Sequence, residues 1–305
     1  MPPILVGAAF TTAQGRSLGM GRGRMTGRDL DRPFFGIRAA PNIGERVLSE
    51  RCSALLVGLP EGAFFTHLTA ARLWPLPLPM HNVVEPIHVG VPRTSRVPRR
   101  SGVAGHQVTD PLARVVLRGA LPVVDPATLF CQLATELSLH DLVAVGDALV
   151  LRPVYTQRGE NRPWVPLPEL GERVAAYRGR GKQAAGTALA LIRPGAESRP
   201  ETLLRLAIMD AGLPEPEVNP VIRDTAGRFL GRGDLVYRRQ MVIVEYDGEQ
   251  HRTSTAQFDH DVQRLEGFAD HGWHVVRIVG RSFFGDRPGT IARVAGALAQ
   301  RGWRP

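Results

Sequence analysis

Glu245, Asp247 and His251 crowd into seven positions at the end of an apolar run, VIVEYDGEQHR at 242–252. A strand that buries Val242, Ile243 and Val244 has little packing reason to end in two carboxylates and an imidazole. Residues two apart on a strand share a face, so Glu245 and Asp247 point the same way. Asp234 lies in a preceding strand, RFLGRGDLVYR, and a hairpin turning near 238–240 sets it beside Glu245. Carboxylates this close repel unless a positive charge compensates them. A divalent cation does so, and hard oxygen donors suit Mg2+ or Mn2+. Glu201, on the helix before these strands, is a third carboxylate near the site, directly or through water. A metal held there lowers the pKa of its water and stabilises charge on a phosphate, and His251 is placed to take the proton. The candidate catalytic set is Asp234, Glu245, Asp247, His251 and Glu201. The competing account makes Glu245 and Asp247 solvent-facing residues of an edge strand, with Asp247-Gly248 as turn chemistry.

The elements that must position these residues are legible from pattern. ESRPETLLRLAIMDAGL has a helical apolar stripe. EVNPVIRD, RFLGRGDLVYR and QMVIVEYDG read as three strands, with Pro220 marking an edge position. TAQFDHDVQRLEGFADHGW is an amphipathic helix, HVVRIVG a fourth strand and PGTIARVAGALAQRGW a closing helix. The predicted order is α-β-β-β-α-β-α. Arg264 on the second helix is expected to pair with Glu201 or Asp261 and hold the helix to the sheet.

Asp234, then Glu245-Tyr246-Asp247-Gly248, then His251, Asp261, Arg264 and GWHVVRI resemble the domain of unknown function 559 family. That family is similar to the very-short-patch repair endonucleases of the PD-(D/E)XK superfamily. The resemblance covers 197–301. It implies a restriction-endonuclease-like α-β-β-β-α-β core, Asp234 and Glu245 as metal ligands with Glu201 beside them, and His251 as the base. The superfamily keeps a lysine two residues after the third-strand acid. Asp247 stands there, and the only lysine of the chain, Lys182, lies elsewhere. Three alternatives follow: His251 with metal-bound water replaces the lysine, Arg252 or Arg264 supplies positive charge, or the site no longer cuts.

Residues 1–50 read as a winged-helix-like DNA-binding region. Thr11 or Thr12 caps a helix to about Leu18, Gly19-Met20-Gly21 turns, 22–30 forms a second helix presenting Arg24 and Arg28, and 32–38 a wing strand. Gly23 and Gly27 disfavour that second helix by about 1 kcal/mol each. Residues 10–90 resemble the winged-helix domain of AbiEi-type antitoxins. Residues 51–155 form an α+β middle region. In it an arginine-rich loop carries Arg93, Arg96, Arg99 and Arg100, candidates for phosphate contact or simply a solvated hairpin tip. His67, His81, His88, His106 and His140 share no ligand spacing and read as structural or surface residues. Residues 156–193 form a linker and a basic helix over 171–192, and 194–305 the endonuclease-like domain.

The net charge of +9 lies entirely in residues 1–193, because 194–305 holds 15 Arg and 15 acidic residues. A basic half beside a neutral one implies DNA as a partner, although arginine-rich coding alone gives the same imbalance. Mean hydropathy of -0.09 describes a soluble globular chain. No apolar run reaches the roughly 18–20 residues of a membrane span. Two isolated cysteines, Cys52 and Cys131, fit a reducing compartment, taken as the cytoplasm. The expected activity is metal-dependent DNA hydrolysis. The alternative is a DNA-binding regulator or antitoxin-like protein with an inactive nuclease fold. Substrate form, a homodimeric state and a partner toxin are left open.

Overall fold

A computed structural model describes residues 8–39, 47–80, 85–154, 161–248 and 255–304, with the backbone alone over 255–262. The chain divides into two compact units. Residues 1–136 and 172–185 make the first, and 137–171 and 186–305 the second. Both are mixed α/β, and no helix among the described residues is long and apolar enough to cross a membrane.

In the first unit, Phe10–Thr11 (β1) pairs antiparallel with Ile37–Arg38 (β2). Thr12–Ser17 (α1) and Arg22–Met25 (α2) lie between them. Thr11 caps α1: its hydroxyl accepts from the Gln14 N–H, and the Gln14 side chain accepts from the Thr11 N–H, a reciprocal capping box. α2 does not run to residue 30 as expected. It is one turn of about 6 Å, ended where the Thr26 hydroxyl turns back onto the Arg22 and Gly23 carbonyls.

Leu48–Leu56 (α3), Phe64–Phe65 (β3), His67–Leu73 (α4), Ile87–Pro92 (β4), Val103–Val108 (β5), Val115–Arg118 (β6), Leu121–Val124 (β7) and Pro126–Leu133 (α5) follow. The strands form one sheet in the order β5-β4-β3-β7-β6. β4 and β5 are parallel, from Ile87↔Val103 to Pro92↔Val108. The arginine-rich segment between them is therefore a crossover and not the expected hairpin tip.

Leu139–Val150 (α6), read from sequence with the middle region, belongs to the second unit. The single helix expected over 171–192 is two, Leu167–Ala176 (α7) and Lys182–Leu191 (α8), with Gly181 at φ 80° between them. Then come Arg199–Asp210 (α9), Glu217–Val218 (β8), Val221–Arg223 (β9), Phe229–Arg232 (β10), Leu235–Tyr237 (β11), Val242–Asp247 (β12), Thr255–Asp270 (α10), His274–Val279 (β13), Gly280–Gly285 (α11) and Arg287–Gln300 (α12). Two expected strands are each broken, at Asn219-Pro220 and at Gly233-Asp234. β8 and β11 join the sheet β13-β12-β11-β8, while β9 and β10 form a separate hairpin. β12 lies antiparallel to β11 and parallel to β13, the parallel step being made through α10. Both of its faces are covered, so its apolar run is continuous. Val242 and Val244 pack with Leu204 and Ile208 of α9 and Leu298 of α12. Ile243 packs on the other face with Ile222 and Phe268.

α6 carries Asp147 into this unit's interior, opposite the wholly buried Arg205 of α9. Arg205 Nη2 donates to Asp147 Oδ2 at 3.0 Å and to the Leu191 carbonyl at 2.9 Å. Asp147 also accepts from the Arg193 N–H and the Thr202 hydroxyl. Burial still pushes its carboxyl up to about 6, against the Arg205 charge and these hydrogen bonds. The folded chain thus keeps a proton that the unfolded chain releases near pH ~4. Stability is expected to fall as pH rises from about 4 to 6. Urea unfolding across that window should show the decline, and Asp147→Asn should flatten it.

Candidate functional site

Leu235 faces Val244 across the β11–β12 ladder, so Asp234, one step before β11, arrives beside Glu245 as expected. Gly233 permits the approach: a Cβ there would lie 2.7 Å from Ile243 Cγ2 and 2.9 Å from Val236 Cγ2. The Tyr246 N–H donates to Asp234 Oδ2 at 2.7 Å. Burial, then the charges of Glu245 and Glu201, hold the Asp234 carboxyl well above the usual carboxylate range, outweighing the Tyr246 N–H and Arg264.

Glu245 is buried, and Arg264 of α10 grips both of its oxygens, Nη1 to Oε1 at 3.1 Å and Nη2 to Oε2 at 3.0 Å. Glu245 was not the partner expected for Arg264. The alternation of β12 explains it, since Glu245 shares the α10-facing side with Ile243. Asp247 accepts from Arg277 of β13 at 2.6 Å. Glu201 is engaged on both oxygens in closing the start of α9. Oε1 accepts from the Ser198 hydroxyl at 2.7 Å, and Oε2 from the Glu197 N–H at 3.0 Å and from Asn219 Nδ2 at 2.8 Å. Ser198-Arg199-Pro200-Glu201 is a capping-box sequence. His251 lies outside the described residues.

Asn219 was missed from sequence. It sits at φ 48°, its side chain donates to Glu201 and to the Gly195 carbonyl, and its N–H donates to the Asp234 carbonyl at 2.8 Å. One residue therefore ties the helix carboxylate to the strand break. An Asn just before a proline was the available signal, because Asn tolerates the left-handed region. Asn219→Val is expected to lower unfolding free energy by about 2–3 kcal/mol, combining left-handed strain with lost hydrogen bonds. Asn219→Gly, which keeps the backbone, should lose only about 1 kcal/mol, and urea unfolding of the two separates the contributions.

The expected DNA-contacting arginines divide. Arg24 is paired with Asp29 through both terminal nitrogens, at 3.0 and 2.7 Å. Arg28 is exposed, in a turn after α2 and not on a helix. Arg93, Arg96 and Arg99 are exposed on the crossover, whereas Arg100 Nη2 donates to the Gly58 carbonyl at 2.6 Å.

Three of the histidines read as scattered come together in the first unit. His67 opens α4 at φ 51°, His88 is on β4 and His106 on β5. In the parallel register His88 faces Ala104 and Gly90 faces His106, so the two imidazoles are diagonal neighbours on one sheet face. His88 Nδ1 lies 3.0 Å from His106 Nε2, and the His67 ring stacks on His106 with centroids 3.9 Å apart. Burial, reinforced by mutual repulsion, lowers His67 to about 3 and His88 to about 4, and burial also lowers His106. Among the described residues, these three form the group of His, Cys, Asp and Glu whose ligand atoms lie within 4.8 Å of one another. Asp234, Glu245 and Glu201 do not gather that tightly. The available signal was the central placement of His88 and His106 in consecutive strands. His140 pairs with Asp210 at 3.1 Å, and His81 lies outside the described residues.

Comparison with protein-family models, with curated proteins and with solved structures found no match.

Proposed function

We propose that the chain is a metal-dependent DNA endonuclease that hydrolyses phosphodiester bonds, with Asp234 and Glu245 holding Mg2+ or Mn2+. One observation carries this: Asp234 is buried beside Glu245, the charges of Glu245 and Glu201 both act on it, and among the described residues Arg264 is the cation set against them. A divalent cation fits that excess negative charge, and carboxylate oxygens fit a hard ion. When bound, it supplies Lewis acidity toward a phosphodiester. The Tyr246 N–H orients Asp234, Asn219 fixes Glu201 against the strand break, and His251 takes the proton from the attacking water. Exposed Arg28, Arg93, Arg96 and Arg99 hold the DNA backbone.

A specific observation favours a second function, a DNA-binding regulator or antitoxin-like protein with an inactive nuclease fold. Arg264 already occupies both oxygens of Glu245, and Asp247 stands where the superfamily keeps a lysine. Purified chain incubated with duplex, single-stranded and mismatched DNA in Mg2+ or Mn2+ separates the two. Cleavage supports the nuclease. Intact DNA with binding that weakens steeply as salt rises supports the regulator.

A further inference from the structure

We propose that His67, His88 and His106 form a second metal site, one that takes a transition-metal ion of the zinc class and is independent of the carboxylates. Three imidazoles meet from three separate elements, with one ring nitrogen of each inside a 4.8 Å cluster. The 3.0 Å between His88 Nδ1 and His106 Nε2 is close to the roughly 3.3 Å that separates two ligands on a tetrahedral ion with bonds of about 2.0–2.1 Å. A neutral imidazole offers one ring nitrogen as a ligand. Imidazole donors select Zn, Cu, Ni or Fe over Mg or Ca, which require oxygen.

The three rings stack and His88 Nδ1 and His106 Nε2 lie at hydrogen-bond distance, so an ion would replace that contact and turn the rings toward itself. Apolar side chains would fill the space without the desolvation cost of buried polar rings. His67 is also held at φ 51°, and strained backbone of this kind persists where the surroundings over-determine it, often at ligand sites. The surroundings here do so. The Thr66 N–H donates to the His88 carbonyl at 3.2 Å, the Thr69 hydroxyl accepts from the His88 N–H at 2.8 Å, and the Thr66 hydroxyl lies 3.2 Å from His67 Nδ1 and bonds Gln132. Glu136 Oε1 lies 3.9 Å from His67 Nε2, in range to act as an orienting carboxylate or a fourth ligand. His67 and His106 also line a cleft of about 610 Å³ with Asp110, Tyr177, Arg178 and Arg180. Three protein ligands beside an open cleft match metal sites that keep an exchangeable position, as opposed to closed structural ones.

The test uses the full chain, stripped with a chelator and titrated with Co2+ in excess Mg2+, which saturates the carboxylates. The expected result is one equivalent of Co2+ with the strong visible absorption of a tetrahedral ion, displaced by Zn2+. X-ray absorption on the wild-type Zn2+ form should show a nitrogen shell with imidazole scattering. His88→Asn and His106→Gln, each checked for folding, should weaken Co2+ by more than the roughly 10–100-fold that losing an outer partner costs. Asp234→Asn should leave it unchanged. Failure of the wild-type chain to bind Co2+, an oxygen-only shell, or folded histidine variants that bind as wild type would each overturn the site. Because the wild-type measurements stand alone, a variant that does not fold leaves the outcome decided. DNA cleavage plays no part, so loss of the nuclease function would not touch this result.

Discussion

Asp234→Ala is expected to cut Mg2+-dependent DNA cleavage by about 10²–10³-fold, the order seen when one preorganised charge-stabilising group is removed. The same change should leave the fold close to wild-type stability. Burial and the charges of Glu245 and Glu201 make ionised Asp234 unfavourable in the folded chain, so removing it relieves repulsion. Against this stands one lost acceptor for the Tyr246 N–H, about 1 kcal/mol. Asp234→Asn keeps an acceptor oxygen and should be the more stable of the two. Glu245→Ala separates the roles in the opposite sense. It removes activity but also strips Arg264 of its bidentate partner, so the unfolding free energy should fall by several kcal/mol. A plasmid-nicking assay paired with thermal unfolding reads both properties. An Asp234→Ala protein that cuts as wild type would reject this carboxylate as part of the cleaving site.

Arg205→Met should be the most damaging single change to the second unit's stability, by about 3–5 kcal/mol, because it leaves Asp147 as a buried charge without its cation. Arg205 is wholly buried and donates to Asp147, Leu191 and Glu215. The network is not fully satisfied, since Arg205 Nε has no partner. The double variant Arg205→Met with Asp147→Leu should therefore recover much of the loss, since replacing both members of a buried pair is often neutral. Urea midpoints of the two proteins measure this. A single variant that loses less than about 1 kcal/mol would mean that Asp147 finds water or simply stays protonated.

Local pattern and long-range pairing account for what could be read in advance. β12 was legible because burial on both faces writes a continuous apolar run, and α9 because its sequence carries a helical apolar stripe. The approach of Asp234 to Glu245 followed from a short hairpin. The breaks at Asn219-Pro220 and Gly233-Asp234 were not foreseen, because they depend on β9 and β10 leaving the main sheet as a hairpin. The grip of Arg264 on Glu245 was not foreseen, since it depends on which face of β12 the α10 helix covers, and the Asp261 side chain lies outside the described residues. The histidines escaped notice for a related reason. No spacing rule joins residues 67, 88 and 106. Only the parallel β4–β5 register and the turn into α4 bring them together. At α2 the reservation about Gly23 and Gly27 proved better founded than the helix drawn through them.

The second unit is assembled from two stretches of chain, and that fixes an order during synthesis. α6 packs on α9, and 58 residues separate Asp147 from Arg205. At roughly 5–20 residues per second, α6 leaves the ribosome about 3–12 s before the residue that neutralises Asp147. Through that interval α6, whose Leu142, Val143, Val145 and Leu149 are buried in the folded unit, lacks the helix it packs against. The second unit, which takes in residues 186–305, is the later of the two to be completed.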